Sequence, residues 1–214
     1  MENLAMEAEE ENHVIVLPPE IWEEIQERNR KSLVVKLLNP KVQKTREISL
    51  ALPKAWRLTE SVTSTTLEYN SKVMFHFESE ADLLSVLNQQ PWTFKDWMLV
   101  IDRFSEDNEN PNYLRFIDFW VEISGIPSNY RFDEVIEDIG ALLGEVLEVD
   151  NRGPVRARIR IDSSNELDFV REVIFGSDGE AVEIRFVYDN LKMFCQACGS
   201  LTHHKAQCPL PRAQ

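Results

Sequence analysis

All three cysteines of the chain stand within its last twenty residues, together with two of its four histidines. Cys195 and Cys198 are separated by two residues, His203 follows after four more, and Cys208 after a further four: C-x2-C-x4-H-x4-C. Three thiolates and an imidazole fill the four tetrahedral corners of a zinc ion and leave none open for a substrate water. No cysteine is left over, so the pattern reads as one closed structural site rather than three buried thiols. His204 offers the other register, with spacers of five and three. Such a segment is too short to build a core of its own. It has to fold around an ion or against the rest of the chain.

The chain's 214 residues suffice for one large or two small domains. No apolar run is long enough for a membrane helix. The start, Met-Glu-Asn-Leu-Ala-Met-Glu, lacks the basic and apolar pattern of a secretory signal. An intracellular setting is expected, in nucleus or cytoplasm. The net charge of −14 excludes a chain that coats nucleic acid over its whole surface. The charge is unevenly placed. Residues 105–150 hold 12 acids and 2 bases, whereas residues 191–214 hold no acid and 3 bases. An acidic chain with a basic metal module points to localised binding.

Residues 1–30 read as an acidic, disordered tail (1–13) and a short amphipathic helix carrying Ile21, Trp22 and Ile25 and ending near Arg30. Residues 31–104 alternate regularly. Ser32–Leu38 is a buried strand stopped by Asn39-Pro40. Glu47–Leu58 sets Ile48, Ala51, Leu52, Ala55 and Trp56 on one helical face. Pro53 inside it costs about 3 kcal/mol, so a kink or a late start is expected. Val62–Tyr69 and Lys72–Phe77 are strands. Ser79 caps a helix with Asp82 three residues on, whose apolar face is Leu83, Leu84 and Leu87. Trp97–Phe104 is a strand. The order β-α-β-β-α-β predicts a ferredoxin-like, RRM-like (RNA-recognition-motif-like) domain. Its middle strand sets Phe75 and Phe77 on the core face beside Val73, and Lys72, Met74 and His76 opposite, so the usual base-stacking platform is missing.

Ser105–Pro111 is a polar connector, and residues 112–190 predict a second, smaller α+β domain. It comprises a strand over Phe116–Ile123 and a helix capped by Asp133 with Val135, Ile136, Ile139, Leu142 and Leu143 on its inner face. Strands follow over Glu145–Asp150 and Val155–Ile161, then a final strand over Ala181–Tyr188. Residues 163–175 read either way, Ser163 with Glu166 as a capping box and Val173-Ile174-Phe175 as a strand, with a short turn or helix followed by a hairpin preferred. Arg156, Arg158 and Arg160 alternate with apolar residues and share one face, with Arg152 in the turn before them. Guanidinium forks suit phosphate. The acids of residues 105–150 are the competing partners. Residues 191–210 form the metal module.

Several phrases occur in a specific succession: Ser32-Leu33-Val34-Val35-Lys36-Leu37-Leu38, Ala55-Trp56-Arg57-Leu58, Gln90-Pro91-Trp92-Thr93-Phe94, Phe119-Trp120-Val121-Glu122-Ile123-Ser124-Gly125-Ile126-Pro127, Ile139-Gly140-Ala141-Leu142-Leu143-Gly144, and Tyr188-Asp189-Asn190-Leu191 leading into Phe194-Cys195. Together they resemble the plant domain of unknown function followed by a CCHC zinc knuckle. That pairing is found in LINE-type (non-LTR) retrotransposon proteins and host genes derived from them. The resemblance implies nucleic-acid binding, RNA before DNA, in a retroelement-like role without catalysis. Nucleic-acid-binding knuckles usually carry glycine before the histidine and an aromatic after the first cysteine. Here those positions are Thr202 and Gln196, while Gly199 is retained.

The expectation is therefore a non-catalytic, zinc-dependent protein that binds single-stranded RNA. No Walker loop, nucleophile elbow or open metal site argues for an enzyme. The metal ligands are Cys195, Cys198, His203 and Cys208. The nucleic-acid contacts are Phe194, Lys192, Lys205, Arg212, Arg152, Arg156, Arg158 and Arg160. An adaptor with a structural zinc, meeting a protein partner through its α+β domains, is the alternative.

Overall fold

A computed structural model describes residues 18–67, 71–107, 109–176 and 179–210. The acidic tail over 1–13 and Arg212 lie outside the described residues. The first helix, α1, spans Pro19–Arg30, buries none of its residues and leaves Ile21, Trp22 and Ile25 exposed. Among the described residues no helix is long and apolar enough to cross a membrane.

The protein is α+β, built on two antiparallel sheets. The first contains β1 (Ser32–Leu37), β2 (Val62–Leu67), β3 (Lys72–Phe77), the two-residue β4 (Thr93–Phe94) and β5 (Trp97–Arg103), in the order β2-β3-β1-β5-β4. Helices α2 (Thr45–Trp56) and α3 (Glu80–Asn88) pack on one face, where Ile48, Leu52, Trp56, Leu83 and Val86 meet Leu33, Val35, Phe75 and Leu99. Helix α2 runs through Pro53. Trp56 beyond it packs edge-on to Phe75 at 4.8 Å and stacks on Phe77 at 5.7 Å. The helix does not start late, one of the two outcomes expected from the proline: it begins at Thr45, and tertiary packing outweighs the proline penalty. In α3 the buried apolar residues are Leu83 and Val86, not Leu84, which is exposed. Asp82 is buried there because its carboxylate accepts the Thr59 and Glu60 N–H groups, tying the approach to β2 onto the helix.

The second sheet contains β6 (Phe116–Ser124), β7 (Glu145–Asp150), β8 (Arg156–Asp162), β9 (Val170–Ile174) and β10 (Ala181–Tyr188), in the order β7-β8-β6-β10-β9. Both sheets therefore place their strands in the same sequence: second, third, first, fifth, fourth. Helix α4 (Asp133–Ala141) answers to α2. Phe132 occupies its N-cap position and Asp133 is the first helical residue, where a carboxylate still favours the helix N-terminus. Leu142, expected on its inner face, is exposed. Nothing answers to α3: residues 163–169 form a turn and loop before β9.

The two units share one core. Val34, Met74, Met98 and Val100, on the face of the first sheet away from its helices, join Leu114, Ile117, Phe119 and Val121 of the second unit. Both faces of the first sheet are covered, so β1 and β5 read as near-continuous apolar runs, interrupted in β1 by Lys36 and ending in β5 at Ile101. Met74, expected on an open face, is only 6% exposed for this reason. Lys36, also on that face, donates to the Leu114 carbonyl at 3.1 Å. Burial lowers its pKa.

Candidate metal centre

The C-terminal module is seated on this shared core. After β10 the chain turns at Asn190 and continues without regular secondary structure to Phe194. The Cys195 N–H donates to the Ser200 carbonyl and the Gly199 N–H to the Cys195 carbonyl, both at 2.7 Å, closing a tight loop over Cys195–Ser200. Gly199 allows that loop because its φ is +81°. A Cβ there would also stand 2.5 Å from the Leu167 carbonyl oxygen, and the Gly199 carbonyl accepts the Leu167 N–H at 3.2 Å.

The donor atoms of Cys195, Cys198, His203 and Cys208 all lie within 4.8 Å of one another. Cys198 Sγ and His203 Nε2 are 3.5 Å apart. A tetrahedral zinc with ordinary Zn–S and Zn–N bonds sets that edge at about 3.6 Å. The set is soft, closed and of the right size, and fits one zinc ion. His204 belongs to neither the cluster nor a second register: its ring packs edge-on against Trp97 at 4.8 Å. Cys195 is fully buried. Burial opposes its thiolate, but the N–H groups of Ala197 and Cys198 and the neighbouring thiols outweigh that, so its pKa is lowered. Zinc requires this ionised form. The His203 Nδ1 lies 3.2 Å from the Thr202 hydroxyl, which lies 2.9 Å from the Ser200 hydroxyl. Thr202, which departs from the usual glycine, thus orients the ligand ring from its far side.

Three further contacts hold the module. Phe194 stacks on Phe169 at 4.7 Å, Leu201 is fully buried, and the Met193 N–H donates to the Asp96 carbonyl at 3.1 Å. Phe169 in turn meets Tyr188 at 5.5 Å, and Tyr188 meets Phe119 at 5.5 Å. The knuckle and the 163–169 loop therefore join the core that α4 covers, in a unit without a second helix. Trp97, Leu167 and Phe169 carry this seat, and sequence reading did not single them out. Each looks like an ordinary apolar residue of a strand or loop, and only their spatial neighbours distinguish them.

The predicted nucleic-acid contacts fall into two places. Lys192, Phe194 and Lys205 line a cleft of about 420 Å3 beside the knuckle with Met193, Gln196 and Gln207, and no carboxylate lines it. Lys192 is also 3.3 Å from Asp96. The arginines lie elsewhere, Arg156, Arg158 and Arg160 on the face of the second sheet opposite Ala157, Ile159 and Ile161 and Arg152 in the turn before them, and each meets a carboxylate. Arg152 and Arg156 reach Asp150 at 3.1 and 3.0 Å. Arg158 and Arg160 reach Asp118 at 3.5 and 2.9 Å. A phosphate would compete with those acids. Arg156 also lies over the Trp120 ring at 4.8 Å.

Hydrogen bonds from Arg156 first, and Arg152 next, hold the Asp150 carboxyl down to about 2. A lowered folded-state pKa stabilises the fold above the unfolded carboxyl pKa of about 3.9. That contribution is lost as pH falls from there through about 2. A carbon-detected NMR titration should place the Asp150 midpoint near 2 and move it up in Arg156→Ala. An unchanged midpoint in the variant would mean Arg156 is not its principal partner.

The family described as "Domain of unknown function (DUF4283)" matches residues 25–110, and a zinc knuckle family matches residues 161–210. The chain thus carries both domains. The knuckle match begins within β8, well before the first cysteine, in keeping with a knuckle built into the second unit. The uncharacterized protein At4g02000 of Arabidopsis thaliana is 36% identical over 135 residues, which is 60% of this chain and 42% of that protein. The chain therefore spans less than half the length of this relative.

Proposed function

We propose that this chain is a non-catalytic, zinc-dependent nucleic-acid-binding module that takes single-stranded RNA at the knuckle. The observation that carries this is the carboxylate-free cleft beside the Cys3His cluster, in a chain of net charge −14. Lys192 and Lys205 can meet phosphates there, and the Gln196 and Gln207 amides can meet base edges. A cleft of about 420 Å3 suits a splayed, unpaired nucleotide rather than a duplex groove. The first unit is read as ferredoxin-like, from a strand order with both helices on one face. The face on which such a sheet would stack bases is occupied by the second unit, which favours the knuckle as the RNA site. The retroelement origin rests on the succession of sequence phrases.

The test is binding of oligouridine and the matching DNA across a salt series, with zinc content measured on the same sample. Two lysine–phosphate contacts on a single strand should give a log–log salt slope of about −1.4. The Lys192→Glu/Lys205→Glu variant should abolish that slope and bind at least about tenfold more weakly. Unchanged RNA binding in this variant would remove the knuckle cleft from the reading. Tighter DNA than RNA binding would remove the preference for RNA.

A further inference from the structure

The two α+β units touch along β5 and β6. Strand β5 begins at Trp97, beside the knuckle, and ends at Arg103, about 20 Å away at an extended rise per residue. At that far end a cleft of about 520 Å3 opens between the units. The rings of Phe104, Tyr113 and Phe116 line it, with Asp102, Asp118 and Arg160.

The charges there are unequal in their partners. Arg160 is held by Asp118 at 2.9 and 3.1 Å and approaches Glu145 at 3.8 Å. Arg103 donates to Glu80 and to the Arg30 carbonyl. Asp102 has no basic side chain in ion-pair contact among the described residues. It accepts only backbone N–H groups, from Arg103 at 2.8 Å and from Leu114. Burial raises its pKa and outweighs those N–H groups and the more distant Arg160 charge, which lower it; the Asp118 charge adds to the rise. Ser105 and Asn110 carry the adjoining loop along the cleft, and Glu106, Asp107 and Glu109 of that loop are exposed. Arg160 is committed to Asp118, so Asp102 is a half-buried carboxylate without an ion-pair contact of its own; that is costly, and an incoming cation would relieve the cost. Aromatic faces attract cations. A planar guanidinium can also give two parallel hydrogen bonds to one carboxylate. A phosphate strand meets the opposite field.

We propose that this interdomain cleft receives an arginine side chain from a basic segment of a protein partner, paired to Asp102 between the aromatic rings. The site is separate from the knuckle and does not depend on the RNA reading.

The experiment uses the full, zinc-loaded chain and a fluorescein-labelled peptide of alternating arginine and glycine, followed by anisotropy. The peptide should bind, and the same peptide with citrulline in place of arginine should not. Asp102→Asn removes the charge while keeping an acceptor oxygen for the Arg103 N–H, and should weaken binding about tenfold, the loss of one charge-assisted pair. Glu172→Gln removes the same charge from the exposed edge strand β9 and should leave affinity within about twofold, as a distant surface charge should. If Asp102→Asn fails to fold, Phe116→Leu is read instead, with severalfold weaker binding expected. Equal binding of the citrulline peptide, or equal loss in Glu172→Gln and Asp102→Asn, would overturn the site. Binding of labelled oligouridine that Phe116→Leu weakens severalfold would overturn it too and assign the cleft to nucleic acid.

Discussion

Replacing Cys195 with serine is expected to cost the chain its zinc and, with it, the seating of the knuckle on both α+β units. Cys195 is fully buried and its N–H and carbonyl close the Cys195–Ser200 loop. Serine is a poor zinc ligand, and a Cys2His remainder leaves the ion with an open corner. Structural zinc binding is folding free energy for a segment of this size. Once the loop opens, Leu201 loses its full burial, worth about 1.5–3 kcal/mol, and the half-buried Phe194 loses its stack on Phe169. A loss of about 2–5 kcal/mol lowers the melting temperature of a chain this long by roughly 4–20 °C. Zinc per chain should fall from one to near zero, and Trp97 emission should shift as His204 leaves its ring. Zinc loss with an unchanged melting temperature would show a knuckle that contributes nothing to the fold around it.

Gly199→Ala separates the ion from the seat. The four ligands remain, so zinc should stay near one per chain. The new Cβ, however, meets the Leu167 carbonyl oxygen at 2.5 Å and its nitrogen at 2.8 Å, both backbone atoms that cannot swing aside. Alanine must also hold a φ of +81°, at about 1–3 kcal/mol. The expected result is a zinc-loaded protein melting roughly 2–12 °C lower, with faster amide exchange at Leu167, whose N–H donates to Gly199. Unchanged stability would mean the knuckle is not held against the 163–169 loop. Read together, the two variants assign one share of stability to the metal and another to the docking.

The zinc site was legible because its information is local. Spacing alone brings Cys195, Cys198, His203 and Cys208 together, and the structure selects His203 over His204. The strands and helices of both units were legible for a similar reason, since hydrophobic period follows from backbone geometry over a few residues. Errors came where distant packing overrode local preference. Pro53 stays inside α2 because Trp56 is anchored among Phe75 and Phe77. Met74 is buried because a second unit lies over its sheet face. The ladder Arg156, Arg158 and Arg160 was correctly placed on one face. Its partners Asp150 and Asp118 stand on neighbouring strands whose register the sequence does not state.

By itself, the sequence determined the ligand set, the acidic bulk, the basic terminus and the two runs of strands and helices. All of these depend on residues near one another in the chain. Tertiary structure alone decided three other things. It set the knuckle on the core through Leu167, Phe169 and Trp97, buried the second face of the first sheet, and opened a cleft beside the half-buried Asp102. Each joins residues far apart in sequence, and contacts of that kind arise from the packing of whole elements rather than from any pattern along the chain.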